Sequence, residues 1–262
     1  MKPFNSFIMT EKEAEDLCKM VRIGVDLSKP KYNKYNYHPK TDTGLRYIVV
    51  KLIEERGNEA DLNDVDVSRI TNMSHLFTYS EFNGDISEWN VSKVKNMEGI
   101  FNGSKFNGDI SKWDVRRVEE MSWMFTNSQF NCDISSWDVR KVWRMSGMFW
   151  CSKFNGDISK WDVSKVEWMD MMFAYSQFNG NISNWDVSKV ESMNMMFAYS
   201  QFNEDISSWD VRRVKNMRHM FEGSQFSGNI SNWNVDNVKY MEDMFKGSNN
   251  SNIPKWWSAA SK

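Results

Sequence analysis

Apolar residues recur along most of this chain with a period of 24 residues. The segment FNGDISEWNVSKVKNMEGIFNGSK begins at Phe82, and similar segments follow it in register without an insertion. These later segments begin at Phe106, Phe130, Phe154, Phe178, Phe202 and Phe226. The pattern also reaches back to Leu62 and forward to Trp257, where Asn250 and Pro254 replace the expected Phe and Ile. A fixed period of this length predicts stacked repeats that bury one continuous core.

Two segments of each repeat carry patterns of secondary structure. The stretch Ile-Ser-x-Trp-x-Val, first seen at Ile86–Val91, follows a turn and predicts a short strand that stacks in parallel on its neighbours. The later Met-x-x-Met-Phe stretch predicts a short helical or 3₁₀ turn on the other face. The fold class expected from this pattern is a right-handed α/β repeat solenoid. Recurrent Asn83 and Ser104 predict polar ladders that satisfy backbone groups.

Residues 1–57 lie outside the repeat and predict a helical N-terminal cap. Thr10 and Glu13 form a capping box before a first predicted helix, and an apolar stripe predicts a second helix from Gly44 to Arg56. Gly57 is a natural end for it. The solenoid is expected over residues 58–249, with a degenerate rung and tail over 250–262. The loop KPKYNKYNYHPK at residues 29–40 predicts a solvated linker, with nucleic-acid binding as the alternative.

Composition adds limits on location and partners. The formal net charge of -2 gives no global attraction to polyanions or anionic membranes. Three cysteines without regular spacing argue against a disulfide framework. There is no apolar run of membrane-spanning length, so no membrane insertion is expected. Without a recognisable leader or anchor we expect a cytoplasmic protein, with a secreted or surface location as the alternative if a leader has been removed.

The sequence predicts no catalytic site, no metal site and no cofactor. The three His residues share no repeat position with a nucleophile and an acid, and no metal-ligand or phosphate-loop spacing occurs. Asp85 and its counterparts at Asp109, Asp133, Asp157 and Asp205 are the exception to consider, because stacked carboxylates need compensation. Turn amides are the favoured explanation, since Asn181 and Asn229 share the position, and calcium is the alternative.

Several central repeats carry large apolar residues where other copies have small or polar ones. The core positions of these repeats are already filled, so we expect the additional side chains on the surface, as in protein interfaces. Packing across neighbouring turns is the alternative. The predicted partner-binding residues are Trp123, Trp143, Trp150, Trp168, Met171, Tyr175, Met195 and Tyr199.

A secondary charged face is predicted beside an acidic column that includes Asp114 and Asp138. Its residues are Arg116, Arg117, Arg140, Lys141, Lys165, Arg212 and Arg213. Pairing of opposite charges across repeats is the expected role, and contact with an elongated anionic partner is the alternative. Because the Asp column opposes a polyanion, nucleic acid is the weaker hypothesis for a partner.

The motif FNGDISxWDVSxVxxMxxMFxxS, repeated over about residues 60–257, resembles the BspA-like leucine-rich-repeat proteins of bacteria. The resemblance implies a leucine-rich-repeat-like solenoid; it also implies adhesion for surface members, while related repeats occur in mobile-element and intracellular proteins. We therefore expect a non-enzymatic scaffold that grips another protein through its central aromatic residues. A self-associating structural or adhesin-type protein is the first alternative. A mobile-element or phage inhibitor that binds a host protein is the second.

Overall fold

The structure is a computed structural model that describes residues 34–260 and the side chains of residues 34–257. Within that range two helices form, α1 at Asp42–Arg56 and α2 at Lys255–Ala260. The rest of the described chain consists of turns and isolated parallel bridges rather than extended strands. The helix predicted to begin at Thr10 lies outside the described residues.

The parallel pairing joins equivalent positions of successive repeats. Bridges connect each residue of one column to the next, 24 residues on: Asn72, Asn96, Glu120, Arg144, Trp168, Ser192, Asn216 and Tyr240. We call this set the Asn96 column, and we name every other set of equivalent positions after its residue in the copy that begins at Phe82. Consecutive repeats therefore lie directly on one another in register.

The prediction of a strand at Ile86–Val91 is wrong, because the series of parallel bridges follows the Asn96 column instead. The amide of Trp89 donates to the carbonyl of Ile86 at 3.2 Å, and the amide of Ser87 donates to Asp85 Oδ1 at 2.8 Å. Because these amides are used inside one turn, they do not pair with a neighbouring repeat. Core packing requires the β-branched and aromatic residues of this segment. A buried strand requires the same residue types, so the sequence pattern does not separate the two structures.

Backbone hydrogen bonds in the Met97–Ser104 segment alternate between two directions. The amides of Met97, Gly99, Phe101 and Gly103 donate to the next repeat, at 2.8–3.0 Å. The amides of Ile100, Asn102 and Ser104 donate three residues back within the repeat, at 3.0–3.2 Å. The second set has the spacing of a 3₁₀ turn, but the alternation prevents a continuous helix. The amide of Glu98 donates to the side chain of Asn96 at 2.8 Å, so every amide in this stretch is satisfied.

The core consists of aromatic ladders that run from repeat to repeat. Trp89 stacks on Trp113 with ring centroids 6.5 Å apart and planes 3° apart. Phe101 stacks on Phe106, which opens the next copy, at 4.4 Å and on its own counterpart Phe125 at 5.7 Å. Each buried indole also donates to a core carbonyl, as Trp113 Nε1 does to Ile86 at 3.1 Å. The high Trp content thus reflects one position that is repeated.

Polar ladders accompany the core, as the sequence predicts. The Ser104 hydroxyl is buried and accepts a hydrogen bond from the amide of Phe106 at 3.2 Å. In the exposed Asn83 column, the side-chain oxygen of Asn83 accepts from the amide of Asn107 in the next repeat at 2.8 Å. These bonds satisfy amides at the turn that opens each repeat.

Helix α1 covers the first partial repeat. Thr41 caps its start by accepting from the amide of Gly44, and Gly57 ends it with φ +88°, so the predicted helix is confirmed with a start two residues earlier. Its buried residues Leu45, Val49 and Leu52 belong to the same apolar core as the repeats. The loop before it is also held, since Tyr37 forms a parallel bridge with Val65. Residues 34–40 are therefore anchored to the first repeat at Tyr37, while Lys34, Asn36, His38 and Lys40 are exposed, as expected for a solvated segment.

Two charged side chains of α1 bind backbone groups that a preceding repeat would bind. Arg46 donates from Nη2 to the carbonyl of Ser74 at 2.6 Å and from Nη1 to that of His75 at 2.8 Å. Asp42 accepts from the amide of Asn72 at 3.4 Å. In the next repeat the equivalent amide, that of Asn96, donates instead to the backbone of the repeat before it. Side chains thus satisfy backbone groups that the first repeat would otherwise leave open.

Candidate protein-binding surface

Two columns of the repeat adopt a left-handed backbone in every copy. In the Gly99 column φ lies between +54° and +63°, and in the Gly103 column between +49° and +67°. Glycine is the residue that adopts this conformation without steric cost, whereas another L-residue costs about 1 kcal/mol or more. All non-glycine residues with positive φ in the described chain fall in these two columns.

Five of the eight predicted partner-binding residues occupy these strained positions. Trp123, Met171 and Met195 lie in the Gly99 column, and Tyr175 and Tyr199 lie in the Gly103 column. The sequence marked these positions as small or polar, but the recurrence of Gly together with Asn127 and Asp243 also indicates a left-handed backbone. The large residues are therefore held against a conformational preference.

Side chains in the Gly99 and Gly103 columns lean over the following repeat. The Trp123 ring occupies the space where a Cβ on Gly147 would stand, and the Tyr199 ring does the same over Gly223. Trp123 also meets Trp150 edge to face, with centroids 6.1 Å apart. Trp123 and Trp150 are each half-buried, so the alternative of packing across turns holds for part of the predicted surface.

The two tyrosines form an exposed stack. Tyr175 and Tyr199 are 47% and 43% exposed, and their ring centroids lie 4.8 Å apart with planes at 16°. The Tyr199 hydroxyl donates to Glu222 Oε1 at 2.8 Å, and this bond fixes the orientation of the Tyr199 ring. Two parallel rings held in this way present a flat aromatic surface to solvent.

Arg144 was not among the predicted residues, but its guanidinium contacts two predicted tryptophans, Trp143 and Trp168. Arg144 Cζ lies 4.9 Å from the ring centroid of Trp143 and 5.1 Å from that of Trp168. The two indoles meet edge to face at 5.2 Å, and Arg144 Nη1 lies 3.8 Å from Glu120 Oε2. The period itself points to Arg144, since it follows Trp143 in sequence and precedes Trp168 by one repeat in the Asn96 column.

A shallow groove of about 220 Å³ brings three predicted residues together. Trp123, Trp168 and Met171 line it with Arg144, Glu98, Ser122, Ser146 and Asp170. Burial raises the pKa of the Asp170 carboxyl, and it raises that of Glu120 beside Arg144 as well. Of these two carboxylates only Asp170 lines the groove, and a half-buried carboxylate beside aromatic rings is the kind of group that a binding site uses.

The secondary charged face pairs within each turn, not across repeats as predicted. Arg116 Nε lies 2.8 Å from Asp114, and Arg140 and Arg212 reach Asp138 and Asp210 in the same way. The Arg116 guanidinium lowers the pKa of Asp114. Arg117, Lys141, Lys165 and Arg213 are exposed and form no ion pair within the described part of the chain. This face is therefore partly neutralised and lies apart from the aromatic groove.

The repeat places the chain in a known family. A family model described as "Mycoplasma protein of unknown function, DUF285" matches residues 49–155 and again residues 150–257. The chain belongs to this family. No curated protein and no solved structure matched it.

The acidic column of these DUF285 repeats is held by turn amides. Asp85 accepts from the amide of Ser87 at 2.8 Å, which lowers the pKa of its carboxyl, and Asp109 does the same with Ser111. Asn181 accepts the equivalent bond from Ser183 at 3.0 Å. A neutral amide therefore serves in the same position. Across residues 34–260 no group of three or more His, Cys, Asp or Glu side chains lies close enough to hold a metal ion.

No helix in the described range is both long and apolar enough to cross a bilayer.

Proposed function

We propose that this chain is a non-enzymatic scaffold that binds another protein through its central aromatic surface. We further propose that the DUF285 repeats form a right-handed, leucine-rich-repeat-like solenoid of the BspA-like type. Parallel bridges between residues 24 apart and hydrogen bonds from each repeat to the next support the stacked arrangement. The free thiols of Cys132 and Cys151 fit a cytoplasmic location.

The observation that carries the binding function is the strain at the Gly99 and Gly103 columns. Five large side chains stand where the fold favours glycine, at about 1 kcal/mol or more each. Gly99, Gly147 and Gly223 show that the same turn forms without them. Folding alone gives no reason to place Tyr175 and Tyr199 there, because both rings remain largely exposed. Exposed aromatics with few rotatable bonds are suited to protein interfaces.

A non-enzymatic role is supported by the structural use of the polar side chains. The Ser104 column binds backbone amides, the Asp85 column closes turns, and His38 contacts Asp66 at 3.2 Å. These groups are engaged in holding the repeat together rather than converging on a substrate-sized cleft.

Self-association is the second candidate, and the last repeat favours it. Val235, Val238 and Met241 are half-buried there, while their counterparts in earlier repeats are buried. A second copy stacking on this face would bury them. Light scattering over a concentration series separates the two candidates, because only self-association raises the mass of the isolated chain with concentration.

The test of protein binding compares two exposed tyrosines of the same column. Full-length chain captures partners from cell extract, and the captured protein is then titrated against purified variants. Tyr199→Ser is expected to weaken binding about thirtyfold, since loss of a central aromatic anchor commonly costs about 2 kcal/mol. Tyr79→Ser is the matched control, because Tyr79 is 67% exposed with φ +54° but lies outside the central repeats.

Charge reversal distinguishes the aromatic surface from the charged face. Arg140→Glu and Lys165→Glu are expected to slow association in a salt-dependent way and to change the dissociation rate little. The proposal is wrong if Trp150→Ala and Tyr199→Ser bind like the wild type while these reversals abolish binding.

A further inference from the structure

The groove between Trp123 and Trp168 differs from the same place in other repeats. Its floor lies in the Glu98 column, where two successive copies carry the small residues Ser122 and Ser146. Trp123 and Met171 line it from the Gly99 column, and Arg144 and Trp168 line it from the Asn96 column. Glu98 and Asp170 stand at the two ends of the floor, three repeats apart. The result is an elongated depression with aromatic walls and acidic ends.

The charges that line this groove are not balanced. Arg144 is the one basic side chain among its lining residues, and it is already held between two indole rings and near Glu120. Glu98 and Asp170 form no ion pair within the described residues. Asp170 accepts hydrogen bonds from the Ser192 hydroxyl and from the amide of Asn194, so its position is fixed. The carboxylates without an ion pair therefore attract a cation, and Trp123 suits one through its indole ring, because Arg144 already lies over Trp168.

A buried hydroxyl at the groove also lacks a partner. Ser122 lines the groove and is 2% exposed, yet its Oγ forms no hydrogen bond within the described residues. Unpaired buried polar groups are rare and costly in folded proteins. The backbone of Ser122 is satisfied, because its amide donates to Glu120 and its carbonyl accepts from Gly99. The side chain alone is left for a further donor or acceptor.

We propose that this groove binds a lysine or arginine side chain of the partner protein. The aliphatic stem of that lysine or arginine lies along Trp123 and over Ser146, and its cationic end approaches Asp170. The proposal rests on the proposed protein-binding function and names the chemistry that one part of that surface recognises. Aromatic walls with unpaired carboxylates suit a basic side chain better than an acidic or a purely apolar one.

The test uses small probes and therefore does not depend on knowing the partner. N-acetyl-lysine methylamide and N-acetyl-arginine methylamide are titrated into the full-length chain, with the norleucine and glutamate analogues as neutral and acidic counterparts. The indole N–H signals of Trp123 and Trp168 are followed by NMR. We expect saturable shifts with the two basic probes in the millimolar range, and about tenfold weaker binding of the other two.

Variants of one column connect the binding to Asp170. Asp170→Asn keeps the size of the side chain and an acceptor for Asn194, and it is expected to weaken the basic probes about tenfold. Ser146→Leu fills the floor and is expected to abolish binding. Glu242→Gln and Ser74→Leu are the matched controls, because both residues belong to the Glu98 column but do not line the groove.

Either of two results overturns the proposal. One is equal binding of the basic and norleucine probes, and the other is unchanged affinity of Asp170→Asn. These results leave the protein-binding function standing if Tyr199→Ser still weakens partner capture. Conversely, loss of basic-probe binding in Asp170→Asn together with normal capture by Tyr199→Ser supports the groove and contradicts the wider aromatic surface.

Discussion

At the scale of single residues, backbone conformation decides which side chains can stand on the candidate surface. The Gly99 and Gly103 columns project their residues over the next repeat, and each Trp or Tyr there is followed by a glycine or by a ring that stacks on it. Trp123 is followed by Gly147, whereas Tyr175 is followed by Tyr199 at a stacking distance of 4.8 Å. The Trp and Tyr residues of these columns are therefore coupled to the next residue of the same column.

This coupling predicts different costs for two glycine substitutions. Gly147→Ala adds backbone strain at φ +63° and also a methyl group in the space of the Trp123 ring. Gly247→Ala adds similar strain at φ +67°, but no atom lies within 4 Å of the new methyl group. We expect about 1 kcal/mol of lost stability for Gly247→Ala and about 1–3 kcal/mol more for Gly147→Ala.

Urea denaturation of both variants measures the difference. The double variant Trp123→Gly with Gly147→Ala is the control, because removal of the ring leaves only the backbone strain at position 147. Equal losses for the two single substitutions would mean that the Trp123 ring does not cover Gly147.

At the scale of elements, the sequence predicts packing better than hydrogen bonding. The period and the buried apolar columns follow from the sequence, because burial selects the same residue type in every copy. The strand at Ile86–Val91 does not, since β-branched and aromatic residues serve a buried turn as well as a buried strand. Helix α1 was predictable from its apolar stripe and Gly57, whereas Arg144 was missed because its two aromatic partners come from different repeats.

The role of α1 as a substitute for a preceding repeat gives a prediction at this scale. Arg46→Met keeps most of the aliphatic stem but removes the guanidinium bonds to the carbonyls of Ser74 and His75, of which His75 keeps the amide of Thr78 as a donor. We expect a loss of about 1–2 kcal/mol in the free energy of unfolding, as for hydrogen bonds to a charged group near the surface. Increased hydrogen exchange in residues 65–80 is expected with it.

Lys51→Met is the matched control on the same helix. Lys51 is exposed and pairs with Glu54 at 2.7 Å, a surface ion pair that contributes little to stability because water screens it. Both variants are compared by thermal melting and by urea denaturation. A loss for Arg46→Met no greater than that for Lys51→Met would show that the guanidinium does not stabilise the first repeat.

At the scale of the whole molecule, stability depends on contacts between neighbouring repeats. Each interior repeat has two neighbours, whereas the last full repeat is followed only by the short segment that ends in α2. Its apolar residues Val235, Val238 and Met241 are correspondingly less buried than their counterparts. In such a one-dimensional array, interior substitutions break two interfaces and terminal ones break fewer.

The Trp89 column allows this dependence to be measured at one residue type. Trp161 is buried, stacks on Trp137 with centroids 6.5 Å apart, and donates from Nε1 to the carbonyl of Ile134 at 3.1 Å. Trp257 lies at the equivalent position past Trp233, is only partly buried, and meets Phe245 edge to face at 5.6 Å.

We expect Trp161→Ala to cost about 3–5 kcal/mol and Trp257→Ala about 1 kcal/mol. Trp161→Phe is expected to lie between them, because an aromatic ring remains while the carbonyl of Ile134 loses the indole donor and keeps the amide of Trp137, a loss of about 0.5–1.5 kcal/mol. Urea denaturation of the three variants gives the order, and equal losses at Trp161 and Trp257 would contradict a stack whose stability is set by neighbouring repeats.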